Sequence, residues 1–328
     1  MKTQISLLIV LLALQLGLVF FTNSSQQELG AFVADKPLLD FQPAEIDTIT
    51  ITGPKKLSLI LKKVDSGWTI PETFDAPADK AAVKGLLDKL AELRQGLPVA
   101  TTKDAADRFK VGKDTFERDI VLNAGTVKKA ELLVGTSPMF RQVYVRLPEN
   151  DAVFSVKFSV NDAGVRPEDW LDKTMLTFDV GDLSEINIGS LHLVRKEGKL
   201  VPNDPAPGET VDEEAIDRLV GGLAAMRIET VLGNSDKPEY GLETPELVCS
   251  FTLTSGLKQT WRFGRPEKEQ YHVLKSSDSE LFFKVSDYQL KPLLDADINA
   301  LVRPTGTAAA NTAAPEKKKE QEKLESGK

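Results

Sequence analysis

Apolar residues recur at helical spacing in two well-separated stretches. In residues 77–94, Val83, Leu86, Leu87, Leu90 and Leu93 fall on a single stripe of 3.6-residue period. Residues 211–227 repeat the arrangement with Ile216, Leu219, Val220, Leu223 and Met226. Asp79 and Asp212 stand where an N-cap belongs, each able to accept hydrogen bonds from the unpaired amides of a first helical turn. Every one of these pairs is 133 positions apart, while most of the exposed positions between them differ. That spacing predicts a duplicated fold.

Period-two alternation surrounds both helices. Before the first lie Ile46, Ile49 and Ile51, then residues 57–61, then the Gly67-Trp68-Thr69-Ile70-Pro71 run. After it come strands near 119–122, 130–135, 142–146 and 153–156, with Asn123-Ala124-Gly125 as turn residues. The second copy restates the series with Leu183, Ile186 and Ile188, then residues 191–195, Gly198 to Pro202, 251–253, 261–264, 271–273 and 281–285. Offsets drift between 129 and 137, as loop insertions would leave them. The expected class is α+β: tandem duplicated domains, each a mainly antiparallel sheet with one principal amphipathic helix. The domains are placed at 38–165 and 166–303.

The two ends differ from this body. Residues 5–21 carry no charge and follow Lys2. A signal peptide and an uncleaved span both fit such a run. Its length favours a transmembrane anchor within residues 1–25, and Phe20-Phe21 suits cleavage poorly. The positive-inside tendency then gives a single-pass protein of the inner (cytoplasmic) membrane, N-terminus in the cytoplasm and bulk in the periplasm, contacting the membrane through residues 5–21. Residues 304–328 turn Ala/Thr-rich and then almost wholly Lys, Glu and Gln, the composition of a disordered charged tail.

Composition narrows the chemistry. Of the 328 residues 41% are hydrophobic and 27% charged, as in soluble globular domains. The net charge of −8 is repelled by phosphate backbones, which argues against nucleic acid as a partner. Cys249, the single cysteine, cannot form an intrachain disulfide, and its apolar setting reads as a buried, inert thiol. With two histidines, a Cys/His zinc site lacks its ligands. No glycine-rich nucleotide loop and no serine-nucleophile elbow occurs. His192 and His272 lie in alternating strand context and read as sheet-face residues. Asp212-Glu213-Glu214 reads as a helix start, favoured by the macrodipole, in preference to a metal cluster. Trp68, Trp170 and Trp261 read as packing residues in preference to a ligand groove. Gly221-Gly222 inside the second helix is costly, and close approach of another backbone would account for it. No catalytic, cofactor-binding or metal-binding residue is therefore assigned, and no cofactor is expected.

The N-terminal hydrophobic segment, Trp68 to Pro71, the helix at 77–93, Leu133-Val134-Gly135 and the run Tyr240-Gly241-Leu242-Glu243-Thr244-Pro245 together resemble the bacterial family known as domain of unknown function 4340. The first copy departs from the pattern, with Phe109-Lys110-Val111 in place of Tyr-Gly-Leu, which leaves the shape of that turn open. The resemblance implies a membrane-tethered protein encoded beside gliding-type ABC transporter subunits, and it carries over no catalytic residues. The functional expectation is a non-enzymatic, membrane-anchored extracytoplasmic scaffold or accessory subunit of an envelope complex, with an ABC transporter subunit as protein partner. An envelope glycan- or lipid-binding module is the alternative, and a degenerate hydrolase the third reading.

Overall fold

The computed structural model describes residues 36–204, 209–296 and 301–304, together with Gln15. The chain divides into two compact units, Met1–Met175 and Leu176–Lys328. Each is built on its own antiparallel sheet, and the fold is α+β as its periodicities require.

In the first unit, β1 (Thr48–Thr52), β2 (Ser58–Val64), β3 (Gly67–Ile70) and β4 (Ala76–Pro77) form a meander that leads into helix α1 (Lys80–Ala91). A short helix α2 (Lys103–Arg108) follows, then β5 (Arg118–Ala124), β6 (Val127–Val134), β7 (Val143–Arg146) and β8 (Val153–Val156). The sheet order is β4-β3-β2-β1-β5-β6-β7-β8, so β5 returns beside β1 after the helix.

The second unit repeats the plan. Its strands are β9 (Leu183–Ile188), β10 (Leu191–Lys196) and β11 (Lys199–Pro202), then β12 (Glu209–Val211) and helix α3 (Glu213–Ala224). β13 (Thr230–Gly233), β14 (Leu247–Leu253), β15 (Lys258–Gly264), β16 (Tyr271–Ser276) and β17 (Phe282–Ser286) follow, then helix α4 (Asp287–Leu294) and β18 (Val302–Pro304). The order β11-β10-β9-β14-β15-β16-β17-β13 matches that of the first sheet over seven strands and adds β13 at one edge. Registers match too. Tyr144 pairs with Ser155 and Val273 with Lys284, a shift of 129 on both strands.

The helices form as their stripes predict. Asp79 accepts from the amides of Ala81 and Ala82 at 2.8 and 3.1 Å, and Asp212 from Ala215 at 3.1 Å. All ten stripe residues are buried, as are the alternating Ile49, Ile51, Leu59 and Leu61 of the first sheet and Ile186, Ile188, Leu191 and Leu193 of the second. Burying each such side chain contributes about 1.5–3 kcal/mol, so these residues are the main source of stability in each unit.

Some local expectations change. The sequence motif pairs Thr69 with Leu200, but the strand registers put Trp68 in the place of Leu200 and Ile70 in that of Pro202. A slip of one residue would turn core positions outward, so burial overrides the motif. Trp170 closes the first unit: its carbonyl accepts from Asp79 N at 2.7 Å, as that of Leu301 does from Asp212 N at 2.8 Å in the second. A Cβ added at Gly221 or Gly222 meets nothing within 4 Å, so no described backbone of the second unit crosses there.

The expected placement as a single-pass inner-membrane protein is overturned, since no described helix is long and apolar enough to cross a membrane. α1 and α3, at 12 residues, span about 18 Å against the roughly 30 Å of a bilayer core. The apolar run at 5–21, apart from Gln15, and the tail at 305–328 lie outside the described residues.

Candidate functional site

The residues singled out by chemistry fall in both units. Cys249 is fully buried on β14, and burial pushes its thiol up to about 12, away from thiolate reactivity. Trp261 is buried against the rings of Phe178, Phe251 and Phe263, and the Trp170 indole donates to Gly164 O at 2.9 Å. Trp68 is half-buried on β3. Asp212 caps α3, Glu213 pairs with Lys199 at 2.6 Å, and Glu214 faces Arg218 at 3.7 Å, so the acidic triplet is spread around a helix start. Among the described residues no cluster of His, Cys, Asp and Glu is arranged to hold a metal ion.

The two histidines differ. His192 on β10 contacts Glu185 of β9 at 2.7 Å on a half-exposed sheet face. His272 on β16 is 1% exposed, with Nε2 at 2.8 Å from Glu246 Oε2 and Nδ1 at 2.7 Å from Asp287 Oδ1. Arg265 reaches both carboxylates at 3.7 and 3.8 Å. Only the Nε2 contact has hydrogen-bond geometry; Nδ1 and Asp287 Oδ1 are close and buried but make no hydrogen bond among the described residues. The equivalent positions of the first unit, by the 129-residue register, are Val143, Phe158, Glu117 and Thr136. The polar cluster thus belongs to the second unit alone, where it ties β16 to α4, an element missing from the sequence reading.

A second divergence opens a groove. In the second unit β13 covers the edge of β17: Thr230 pairs with Lys284 and Val231 with Phe283, and Glu229 N donates to Lys284 O at 2.8 Å. In the first unit the chain leaving α1 is held elsewhere, with Leu38 N on Leu93 O and Gln95 N on Lys36 O. Pro98 occupies the place of Val231, at the 133-residue offset that relates the two helices. Its fixed φ and the restriction on Leu97 before it disfavour a continuous closing strand. The chain rejoins the sheet only at Val99 and Ala100, both bonded to Val153.

The remainder of β8 is left open. Tyr144 turns its amide and carbonyl to Thr136 and Gly135, away from β8, so the opposite residue, Ser155, points its own pair outward. Beside it lies a groove of about 800 Å³ between β8, the C-terminal end of α1 and the β6–β7 connection. Lys89, Arg94, Arg141 and Lys157 line it against Glu92 and Asp162, with Leu93, Val156 and Phe158 beneath. At its mouth Phe140 is 86% exposed with the Arg141 guanidinium over its ring. The second unit has Lys268-Glu269-Gln270 where the first has Met139-Phe140-Arg141. The sequence held two signals of this groove, Pro98 and the apolar turn tip, and neither has meaning until the strand order is known.

Two sheets of common plan, one sealed at its last strand and one partly open beside a basic groove, define a duplicated α+β protein. Residues 68–245 match the family described as Domain of unknown function (DUF4340), and the chain belongs to that family. The match runs from β3 of the first unit to the loop before β14 of the second, a little over half of the chain, so the family pattern extends across both copies. Neither the curated proteins nor the solved structures contain a match to this chain.

Proposed function

We propose that this protein is a non-enzymatic scaffold or accessory subunit that binds a protein partner within a larger complex, an ABC transporter assembly being the first candidate by the family resemblance. The observation that carries this reading is the groove beside β8, where an unpaired strand edge, an exposed Phe140 and an excess of basic side chains converge. Exposed aromatic and Arg side chains beside a concave apolar floor are the usual anchors of protein recognition. The His272 cluster has a structural part in this reading, since its ring is enclosed, bonded through Nε2 to Glu246 and close through Nδ1 to Asp287. The test is affinity purification of the tagged full chain from its native cells after mild cross-linking. The expected result is stoichiometric recovery of a transporter subunit. Recovery of the chain alone would overturn the proposal, and so would turnover of a substrate that is lost on His192→Ala or His272→Ala.

A further inference from the structure

We infer that the groove of the first unit takes an extended, acid-bearing segment of a partner protein, which adds antiparallel to β8 as a further strand of the sheet. The inference rests on the accessory-subunit reading and names its docking mode.

Three observations carry it. The first is the second copy, in which the equivalent edge is occupied by an extended segment of the chain itself. Lys284, the counterpart of Ser155, receives an amide from Glu229 there, and its ammonium pairs with the Glu229 carboxylate at 3.3 Å. The fold therefore accepts a strand at this edge and already pairs it through an acidic residue.

The second observation is that the first copy keeps this strand only at Val99 and Ala100, on Val153, and leaves the next receiving pair of the edge open. The Ser155 amide and carbonyl face outward without a partner among the described residues. An unpaired edge is a template for strand addition, with main-chain bonds supplying affinity and side-chain pockets supplying selectivity.

The third is charge. Four basic side chains against two acidic ones line the groove, on a chain whose net charge is −8. Lys89 is neutralised by Asp162 at 2.6 Å, which leaves Arg94, Arg141 and Lys157 against Glu92, an excess of two positive charges to meet carboxylates. An incoming strand with acidic residues at alternate positions satisfies both the edge and these charges. A second copy of this acidic chain is repelled at long range.

The probe is a fluorescently labelled peptide copying residues 228–236, which contains the second unit's closing strand and carries Glu229 and Asp236 with no basic residue. Added to the full chain, it is expected to bind saturably and to slow hydrogen exchange at the Ser155 amide at least tenfold. Ser155→Pro removes the outward amide without touching the pairing to β7, and should abolish binding while the melting temperature holds. Arg141→Glu with Lys157→Glu is the second variant, expected to weaken binding at least tenfold and to do so less at high salt. The inference is overturned by absence of binding, by binding that leaves Ser155 exchange unchanged, or by Ser155→Pro binding as tightly as wild type. Self-association that protects Ser155 without peptide would also overturn it, by assigning the edge to a second copy. A transporter subunit that co-purifies equally with Ser155→Pro would sink the docking mode and leave the accessory reading standing. Peptide binding at β8 by a chain that purifies from cells without a partner would do the reverse.

Discussion

Gly135, just past β6, and Gly264, the last residue of β15, are equivalent, and each lies beneath the carbonyl oxygen of an equivalent turn. A Cβ at Gly135 would sit 2.0 Å from Phe109 O, and one at Gly264 would sit 2.2 Å from Tyr240 O. Both turns bring their next residue into the left-handed region, Lys110 at φ 53° and Gly241 at φ 67°. The first copy therefore keeps the turn and carries its strain on a lysine. The Val-Gly and Tyr-Gly-Leu motifs are visible in the sequence, but the overlap of their backbones is not, because contact between distant segments leaves no periodic trace. Gly264→Ala should destabilise the second unit by at least about 2 kcal/mol, seen as a lower urea midpoint. Asp119 on β5 supplies a pH effect. Burial first, and the Glu131 charge second, raise its carboxyl to about 6, against the pull of Lys128, and its Oδ1 has no hydrogen-bond partner. A pKa raised in the folded state contributes stability that is complete below the unfolded value near 4 and lost as pH climbs through about 6. Asp119→Asn should thus gain about 1 kcal/mol at pH 8, after allowance for partial solvent screening, and nothing at pH 4. Equal gains in urea melts at both pH values would rule out this account.

Elements whose signal is local were legible. α1 and α3 follow from spacing and caps alone, because an amphipathic stripe needs only one face to be buried, whatever covers it. The strands with clear alternation follow likewise. β4, β12 and β18 were not expected, since two- or three-residue strands exist only through their pairing. α4 escaped because Pro292 lies inside it and its burial comes from the neighbouring α3 and β17. The double glycine of α3 has no backbone of its own unit close to it. With open space around its Cβ position, Gly222 serves no packing within its unit, and Gly222→Ala should stabilise by about 0.5–1 kcal/mol. A melting temperature that falls on this substitution would mean that something approaches the helix after all.

At the scale of the whole chain, duplication was legible as a constant offset, whereas the divergence of the copies was not. The copies part company through a proline at residue 98, a turn tip at 139–141 and a histidine at 272, each ordinary on its own. Only the shared sheet order puts Pro98 where Val231 closes an edge, and Val143 where His272 sits between carboxylates. With a separate sheet and core in each unit, Gly264→Ala should raise hydrogen exchange across β14–β17 and leave β5 and β6 protected. Parallel loss of protection in both sheets would refute that independence.

The opposite border of the first sheet has its own meaning. β4 is only two residues long and ends on Pro77, and the backbone groups around it are taken by the chain itself, with Ala78 bridging Leu171 and Asp172 N bonded to Pro77 O. Growth into a fibril needs a ribbon that can be lengthened from both sides, one side receiving and the other offering. This ribbon can receive at β8 and has nothing to offer at β4. Whatever zips onto it, the reaction stops after one addition.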